Sequence, residues 1–378
     1  MNGRYLLAAV VVLTVAMGVG RFAYTPLLPL MQKEAGLSHA MGGFVASSNL
    51  AGYLLGALSA TAPVFHGKRL LAVRAALVAV AITTALMAFP SAEVWLAARF
   101  ATGVASGLAF VLGSSIILDR ALAERKPQAI AIFYSGVGLG IVLSAIAVPL
   151  LARAGGWQTG WLGMAAIAAV LCSSLVWLDD RQRPQDTGEG QPSSSYPALY
   201  WWLLAAYTGN GMGYIIPATF IVAMIAATPA LMRYADASWI VVGLVAMPSA
   251  VFWNRIGLRI GRDRALATAL AVMGAGAVAP IVAPNALGVA VAAVTLGGTF
   301  LGVTALANAL GHELAPYQSQ VAIGRLTTSF GVGQIIGPAV GGALLAATES
   351  YAPALIVAAA VLGVSAIVMV CGSLTAGS

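Results

Sequence analysis

Arg21 and Arg99 each interrupt a long apolar run. Arg21 stands in Gly20-Arg21-Phe22-Ala23-Tyr24-Thr25-Pro26, and Arg99 in Leu96-Ala97-Ala98-Arg99-Phe100-Ala101-Thr102-Gly103. No Asp or Glu lies inside the apolar runs beside them. A charge in hydrocarbon is expensive, so it is rarely kept without a use. A guanidinium stays charged and presents a planar fork to a carboxylate or phosphate. The chemistry these residues offer is recognition of an anion inside a membrane. The rival use is a structural clasp on backbone carbonyls near a helix break, and Gly20 and Pro26 place such a break beside Arg21.

Further polar groups fall at matching depths. Tyr24 follows Arg21 by three residues, and Tyr53 follows Asn49 by four, so each pair shares a helix face. At ~1.5 Å per residue, Arg21 lies roughly 15 Å, Asn49 roughly 13 Å and Arg99 roughly 8 Å below the outer surface. The second half offers Asn210, Tyr214 and Pro217, then Thr304, Asn308, Ser329 and Gln334. These are uncharged hydrogen-bonders suited to orienting a polar ligand, with interhelical hydrogen bonding as the competing use. The candidate substrate-binding set is therefore Arg21, Tyr24, Asn49, Tyr53, Arg99, Asn210, Tyr214, Asn308 and Gln334. Glu93, Glu313 and Arg325 form a candidate gating or coupling set. Glu93 is a possible partner for Arg99. Glu313 and Arg325 flank one loop as a gate pair or as two solvated end charges.

No catalytic or metal set converges. The three His and two Cys are scattered, with His39, His66 and His312 at helix ends and Cys172 and Cys371 inside apolar runs as inert buried thiols. No phosphate-binding G-x-x-x-x-G-K-[ST] motif is present. We therefore expect no enzyme activity, metal or cofactor.

The elements that position these residues follow from composition. The chain has 378 residues, 60% hydrophobic and 8% charged, against about 25% charged in a soluble domain. Apolar runs near the ~20 residues of a spanning helix recur throughout. Twelve spans are expected at about 5–31, 40–63, 70–89, 94–118, 128–152, 157–178, 199–228, 238–254, 265–283, 286–310, 320–347 and 352–373. The first run resembles a signal peptide early on but continues past Arg21, and reads as an uncleaved helix. Trp201, Trp202 and Trp239 near span starts read as interfacial anchors.

Basic residues set the orientation. With the N-terminus inside, 14 of the 19 Lys and Arg fall on the cytoplasmic side and 3 outside, leaving Arg21 and Arg99 within the membrane. Both termini are therefore expected in the cytoplasm. The net charge of +7 reflects this bias rather than nucleic-acid binding. The polar stretch 179–198, rich in Pro, Gln and Ser, reads as a cytoplasmic linker between halves 1–178 and 199–378.

The halves repeat. Gly136-Val137-Gly138 recurs as Gly331-Val332-Gly333, and Gly103 as Gly297, at offsets of 195 and 194. Gly20 and Pro26 match Gly211 and Pro217 at offset 191. The fold class expected is an all-α membrane protein of twelve helices in two six-helix bundles, with the substrate site between them.

Twelve spans, a central linker and this repeat resemble the major facilitator superfamily. The loop after span two keeps Gly67-Lys68-Arg69 of that family's basic motif, with Val64 at its Asp position. The second-half loop keeps Arg259, Gly261 and Arg262, with Leu258 at the Asp position. The family's R-x-x-x-G occurs as Arg99 and Gly103. Gly333, Gly337, Pro338, Gly341 and Gly342 form a Gly-Pro motif in span eleven, which in antiporters belongs to span five. GRFAYTPLLPLMQ, SSNLAGYLLGAL and GVGQIIGPAVGG are similar to the YbfB/YjiJ-type branch. The resemblance implies an inner-membrane transporter whose cavity is lined by spans one, four, seven and ten.

The reading that follows is secondary active transport of a small solute, favouring an organic anion, by alternating access, with or without protons. The alternative is proton-linked efflux of neutral or hydrophobic compounds. A non-transport membrane protein is the remote third reading. The partners expected are a small-molecule substrate and the lipid bilayer, with no nucleic acid, and the carrier is expected to be a monomer.

Overall fold

The computed structural model describes residues 3–65, 67–120, 126–180 and 196–376. Every long element among them is a helix. We number them α1 (Gly3–Glu34), α2 (His39–Ser59), α3 (Arg69–Leu86), α4 (Ala92–Arg120), α5 (Lys126–Cys172), α6 (Ala198–Ala227), α7 (Ala235–Ile260), α8 (Arg262–Val282), α9 (Ala286–Leu314), α10 (Ser319–Thr348) and α11 (Ala352–Ala376). Among the described residues, ten helices are long and apolar enough to cross a membrane. α2 falls outside that group because four Gly, three Ser and Asn49 dilute its hydropathy. α5 joins two helical legs across a break at Gly155 (φ −177°, ψ 33°) and Gly156 (φ 71°). Glu34 accepts the Trp157 amide at 2.8 Å, capping the start of the second leg.

The eighth expected span, 238–254, is longer than its hydropathy suggests. α7 runs from Ala235 to Ile260 because Arg255 and Arg259 stay on the helix, where long aliphatic stems tolerate the membrane edge. Gly261, at φ 94°, ends it in a conformation that favours glycine.

Within the first half, α1 packs on α5, α2 on α4, and α3 on both α4 and α5. Within the second, α7 packs on α8 and α9, while α6 packs on α10 and α11. Among the described residues, the most extensive pairs across the halves are α1 with α6, α2 with α10, and the first leg of α5 with α7. The last two pairs exchange under the sequence repeat. α1 and α6 are the most buried helices, each 83% buried over its apolar window.

Backbone approach rather than bulky packing sets these contacts, as expected where lipid supplies no hydrophobic drive. A Cβ on Gly18 would stand 2.3 Å from the Gly140 Cα, which ties α1 to α5. The Gly103 of R-x-x-x-G faces the Asn49 carbonyl at 2.0 Å from an ideal Cβ, so α4 lies directly on α2.

The basic ends of the helices share one face of the molecule. There Arg69 chelates Asp180 (2.6 and 3.1 Å) and binds Asp119 (2.7 Å) and Ser115 (2.8 Å). Arg262 pairs with Glu313 at 3.0 Å. These pairs occupy repeat-related positions although neither loop has the family's Asp. The expected linker 179–198 falls mostly outside the described residues.

Candidate functional site

α1 is not a regular α-helix at its centre. Thr14–Phe22 is π-helical, and the Ala23 amide bonds the Gly18 carbonyl five residues back at 2.8 Å. Pro26 has no amide to offer the Phe22 carbonyl four residues back or the Arg21 carbonyl five back. The Gly20 and Arg21 carbonyls are met by side chains from α4 and α2. Arg99 donates to Gly20 at 2.7 Å and to Arg21 at 3.2 Å. Asn49 donates to Gly20 at 3.4 Å and to the Arg99 carbonyl at 2.9 Å. Arg99 and Asn49 are 2% and 1% exposed. The guanidinium of Arg99 also lies over the Tyr24 ring at 5.0 Å, and Tyr24 donates to the Gly42 carbonyl at 2.8 Å. Sequence depth placed Arg99 nearer the outside than Arg21 and Asn49. Its long side chain brings all three to one level.

Arg21 is held differently. Its guanidinium donates to the Tyr214 hydroxyl at 2.5 Å and lies over Tyr53 (5.5 Å) and Phe22 (5.2 Å). Gln334 also donates to Tyr214. Arg21, Tyr214 and Gln334 thus link α1, α6 and α10 across the seam. Among the described residues, neither Arg21 nor Arg99 is in a salt bridge. The Nε of each has no partner, and neither has the Oδ1 of Asn210, the Oδ1 of Asn308 or the Oε1 of Gln334. Each unpartnered amide oxygen marks an unused hydrogen-bonding position.

An aromatic lining was not identified from sequence. Tyr207 stacks on Phe330 (4.5 Å, 10°), Phe330 on Tyr214 (5.6 Å, 7°), and Tyr214 on Phe300 (6.1 Å, 2°). In the first half Tyr53 meets Phe110 edge-on (6.1 Å), and Phe110 stacks on Tyr134 (5.8 Å, 14°). The two groups of rings meet at Arg21, whose guanidinium lies over Tyr53 and bonds the Tyr214 hydroxyl. Helix spacing carried a weak signal: Tyr207 and Tyr214 are one heptad apart with Asn210 between them, and Phe330 precedes Gln334 by one turn.

The seam is tight on the side of Arg21 away from the basic face. Thr25 donates to the Ala218 carbonyl at 2.8 Å and Ser47 to the Ile335 carbonyl at 2.7 Å. A Cβ on Gly43 would stand 2.3 Å from the Pro338 carbonyl oxygen, so the Gly-Pro motif forms part of this seam. A cavity of about 20 Å³ remains there, lined by Arg21, Thr25, Asn49, Arg99 and Thr219 among others. That is room for about one water.

Several expectations need correction. Glu93 does not reach Arg99: it is exposed and accepts from Ser91 at 2.6 Å at the start of α4. Glu313 pairs with Arg262 rather than Arg325, whose guanidinium lies over the Tyr196 ring at 5.0 Å. Trp239 is buried against Phe22 at 6.1 Å rather than anchored at an interface. Cys371 is exposed on α11. Among the described residues, no group of three or more His, Cys, Asp or Glu gathers as a metal site.

Residues 13–370 match the family described as the uncharacterised MFS-type transporter YbfB. The chain belongs to that family of membrane transporters. No curated protein matches the sequence. Among solved structures, a bacterial homologue of the human lysosomal transporter Spinster, in an inward-facing and occupied conformation, is similar at TM-score 0.74 and 16% identity, over 99% of this chain and 98% of that one. A mutant of the nucleoside transporter NupG is similar at TM-score 0.75 and 13% identity, over 98% and 100%. At these identities the likeness is one of fold. This YbfB-type chain is a multi-pass membrane protein built on the transporter fold.

Proposed function

We propose that this chain is a secondary carrier that moves a small organic anion by alternating access, with Arg21 as its anchor. Counting the two legs of α5 and α2 as spans gives twelve crossings. Residues 1–178 and 199–378 then form two six-helix bundles joined by 179–198. The basic face is cytoplasmic, with both termini on it, and the membrane is the inner membrane.

The observation that carries the reading is the unequal use of the two arginines. Arg99 uses two amino groups on α1 carbonyls and acts as a clasp with Asn49. Arg21 has one neutral partner, a hydroxyl that a carboxylate outcompetes for a guanidinium. A buried cation without an acid is a standing electrostatic cost that an anionic ligand offsets. Tyr214 and Gln334 hold Arg21 in the absence of that ligand. Asn210, Asn308 and Gln334 supply unused polar positions for orienting the cargo.

The tight seam beyond Arg21 supports a state closed on the far side and reached from the basic face. Binding an anion at Arg21 frees Tyr214 and loosens one link between α1 and α6. Arg262–Glu313 and Arg69–Asp119–Asp180 tie the helix ends on the basic face, each within one half, and are rearranged as the halves rock. Glu313 keeps a gating role in this reading through Arg262. The chain acts as a carrier and not as an enzyme. It works as a monomer, and a titrating cargo is the simplest proton link.

The test is a thermal-shift screen of the purified chain against organic anions, cations and neutral metabolites, beside Arg21→Met. Stabilisation by anions that disappears in Arg21→Met supports the reading. Stabilisation only by cations or neutral compounds, unchanged in the variant, overturns it in favour of efflux.

A further inference from the structure

We infer that the cargo is an aromatic monocarboxylate lacking an amino group, with its carboxylate on Arg21 and its ring between two aromatic walls. The inference rests on the anion-carrier reading of Arg21 and adds the class of substrate.

Two rows of rings lead away from Arg21. On the first-half side Tyr53 stands over Arg21, followed by Phe110 and Tyr134. On the second-half side Tyr214 bonds Arg21, followed by Phe330 and Tyr207. Tyr53 and Tyr214 both contact the Arg21 guanidinium, so the two rows converge on it from the two halves. Tyr53 and Tyr214, beside Arg21, and Tyr207 at the end of the second row are buried, whereas Phe110, Tyr134 and Phe330 are half-buried. The first-half row is thus buried beside the cation and more exposed at its far end.

The second-half rings lie within 10° of parallel. Parallel, offset rings favour a further flat ring over a puckered one of equal size. Aliphatic carboxylates satisfy Arg21 and leave the walls unused. An amino group is disfavoured because Arg21 repels it and no Asp or Glu lies inside the apolar runs beside it. A flat ring carrying one carboxylate and no ammonium satisfies both features.

The test uses the full chain in detergent and compares benzoate, phenylacetate, cyclohexanecarboxylate, acetate, phenylalanine and benzylamine by isothermal titration. Benzoate and phenylacetate bind most tightly, with cyclohexanecarboxylate about 3–10-fold weaker and phenylalanine and benzylamine not detectable. Phe330→Leu and Phe110→Leu, two variants in case one misfolds, each bring benzoate toward the cyclohexanecarboxylate affinity. Neither changes cyclohexanecarboxylate itself. Arg21→Gln removes both. Equal, Arg21-dependent binding of benzoate and cyclohexanecarboxylate overturns the aromatic class and leaves the anion carrier standing. Benzoate binding that survives Arg21→Gln overturns both, as does a cooperatively melting wild type that binds no carboxylate. Binding of benzylamine or phenylalanine as tightly as benzoate overturns the class.

Discussion

Replacing Arg99 with Met separates a clasp from a ligand. Met fills much of the same volume, so the dominant change is loss of the two hydrogen bonds to the Gly20 and Arg21 carbonyls. Each buried acceptor left unpaired costs about 1–3 kcal/mol. Gly20 keeps the long bond from Asn49 at 3.4 Å, which offsets part of its share. Removing an unpaired buried charge returns a further part. The net loss is about 2–4 kcal/mol, the sum of these terms. Arg21→Met loses one bond to Tyr214, which retains Gln334, so its stability changes by about 1 kcal/mol or less. The two variants are compared by tryptophan-monitored unfolding in mild detergent, with benzoate titrated into each. Arg99→Met is expected to unfold more readily and to bind benzoate within about tenfold of wild type, whereas Arg21→Met is expected to unfold normally and to lose about 100-fold or more in affinity, the loss of a bidentate charged pair. An Arg99→Met variant of unchanged stability that no longer binds any anion refutes the division of roles.

Other expectations follow from the same geometry. Gly43→Ala places a Cβ 2.3 Å from the Pro338 carbonyl oxygen and weakens closure of the far seam by about 1–3 kcal/mol; a Cys introduced at Thr219 should then react several-fold faster with a reagent added from the far side. Tyr214→Phe removes the hydroxyl that holds Arg21, so affinity for benzoate should stay equal or rise while the substrate-free protein unfolds more readily. Arg69→Ala loses a chelated carboxylate and two further bonds and should cost about 2–4 kcal/mol in unfolding measurements. Glu313→Gln breaks a pair whose acid is 49% exposed, and should cost at most about 1 kcal/mol.

The spans and the importance of Arg21 and Arg99 are legible in the sequence because charge and hydropathy act residue by residue. The local partners are not. Thr14–Phe22 reads as ordinary helix, since its π geometry is held by Arg99 and Asn49, which reach it from other helices. Pairing of Glu313 with Arg262 depends on where the α7–α8 turn at Gly261 points the helix ends, and Arg325 was equally plausible on charge alone. Trp239 sits near a span start, but its approach to Phe22 depends on how α7 meets α1. Phe110, Tyr134, Tyr207 and Phe330 were missed because an aromatic residue in an apolar helix has the same signature whether it faces lipid, core or cavity. The R-x-x-x-G motif was recognisable in sequence, and its Gly103 proves to be where α4 meets the backbone carrying Asn49.

The central claim, that Arg21 anchors the cargo of a carrier, is tested most directly by counterflow in proteoliposomes. Vesicles containing the chain are loaded with unlabelled benzoate and diluted into a trace of labelled benzoate. The account predicts transient accumulation of label above its equilibrium level with wild type and none with Arg21→Met. Equal overshoot in the two proteins, or entry that never overshoots in vesicles shown to contain folded wild type, contradicts it.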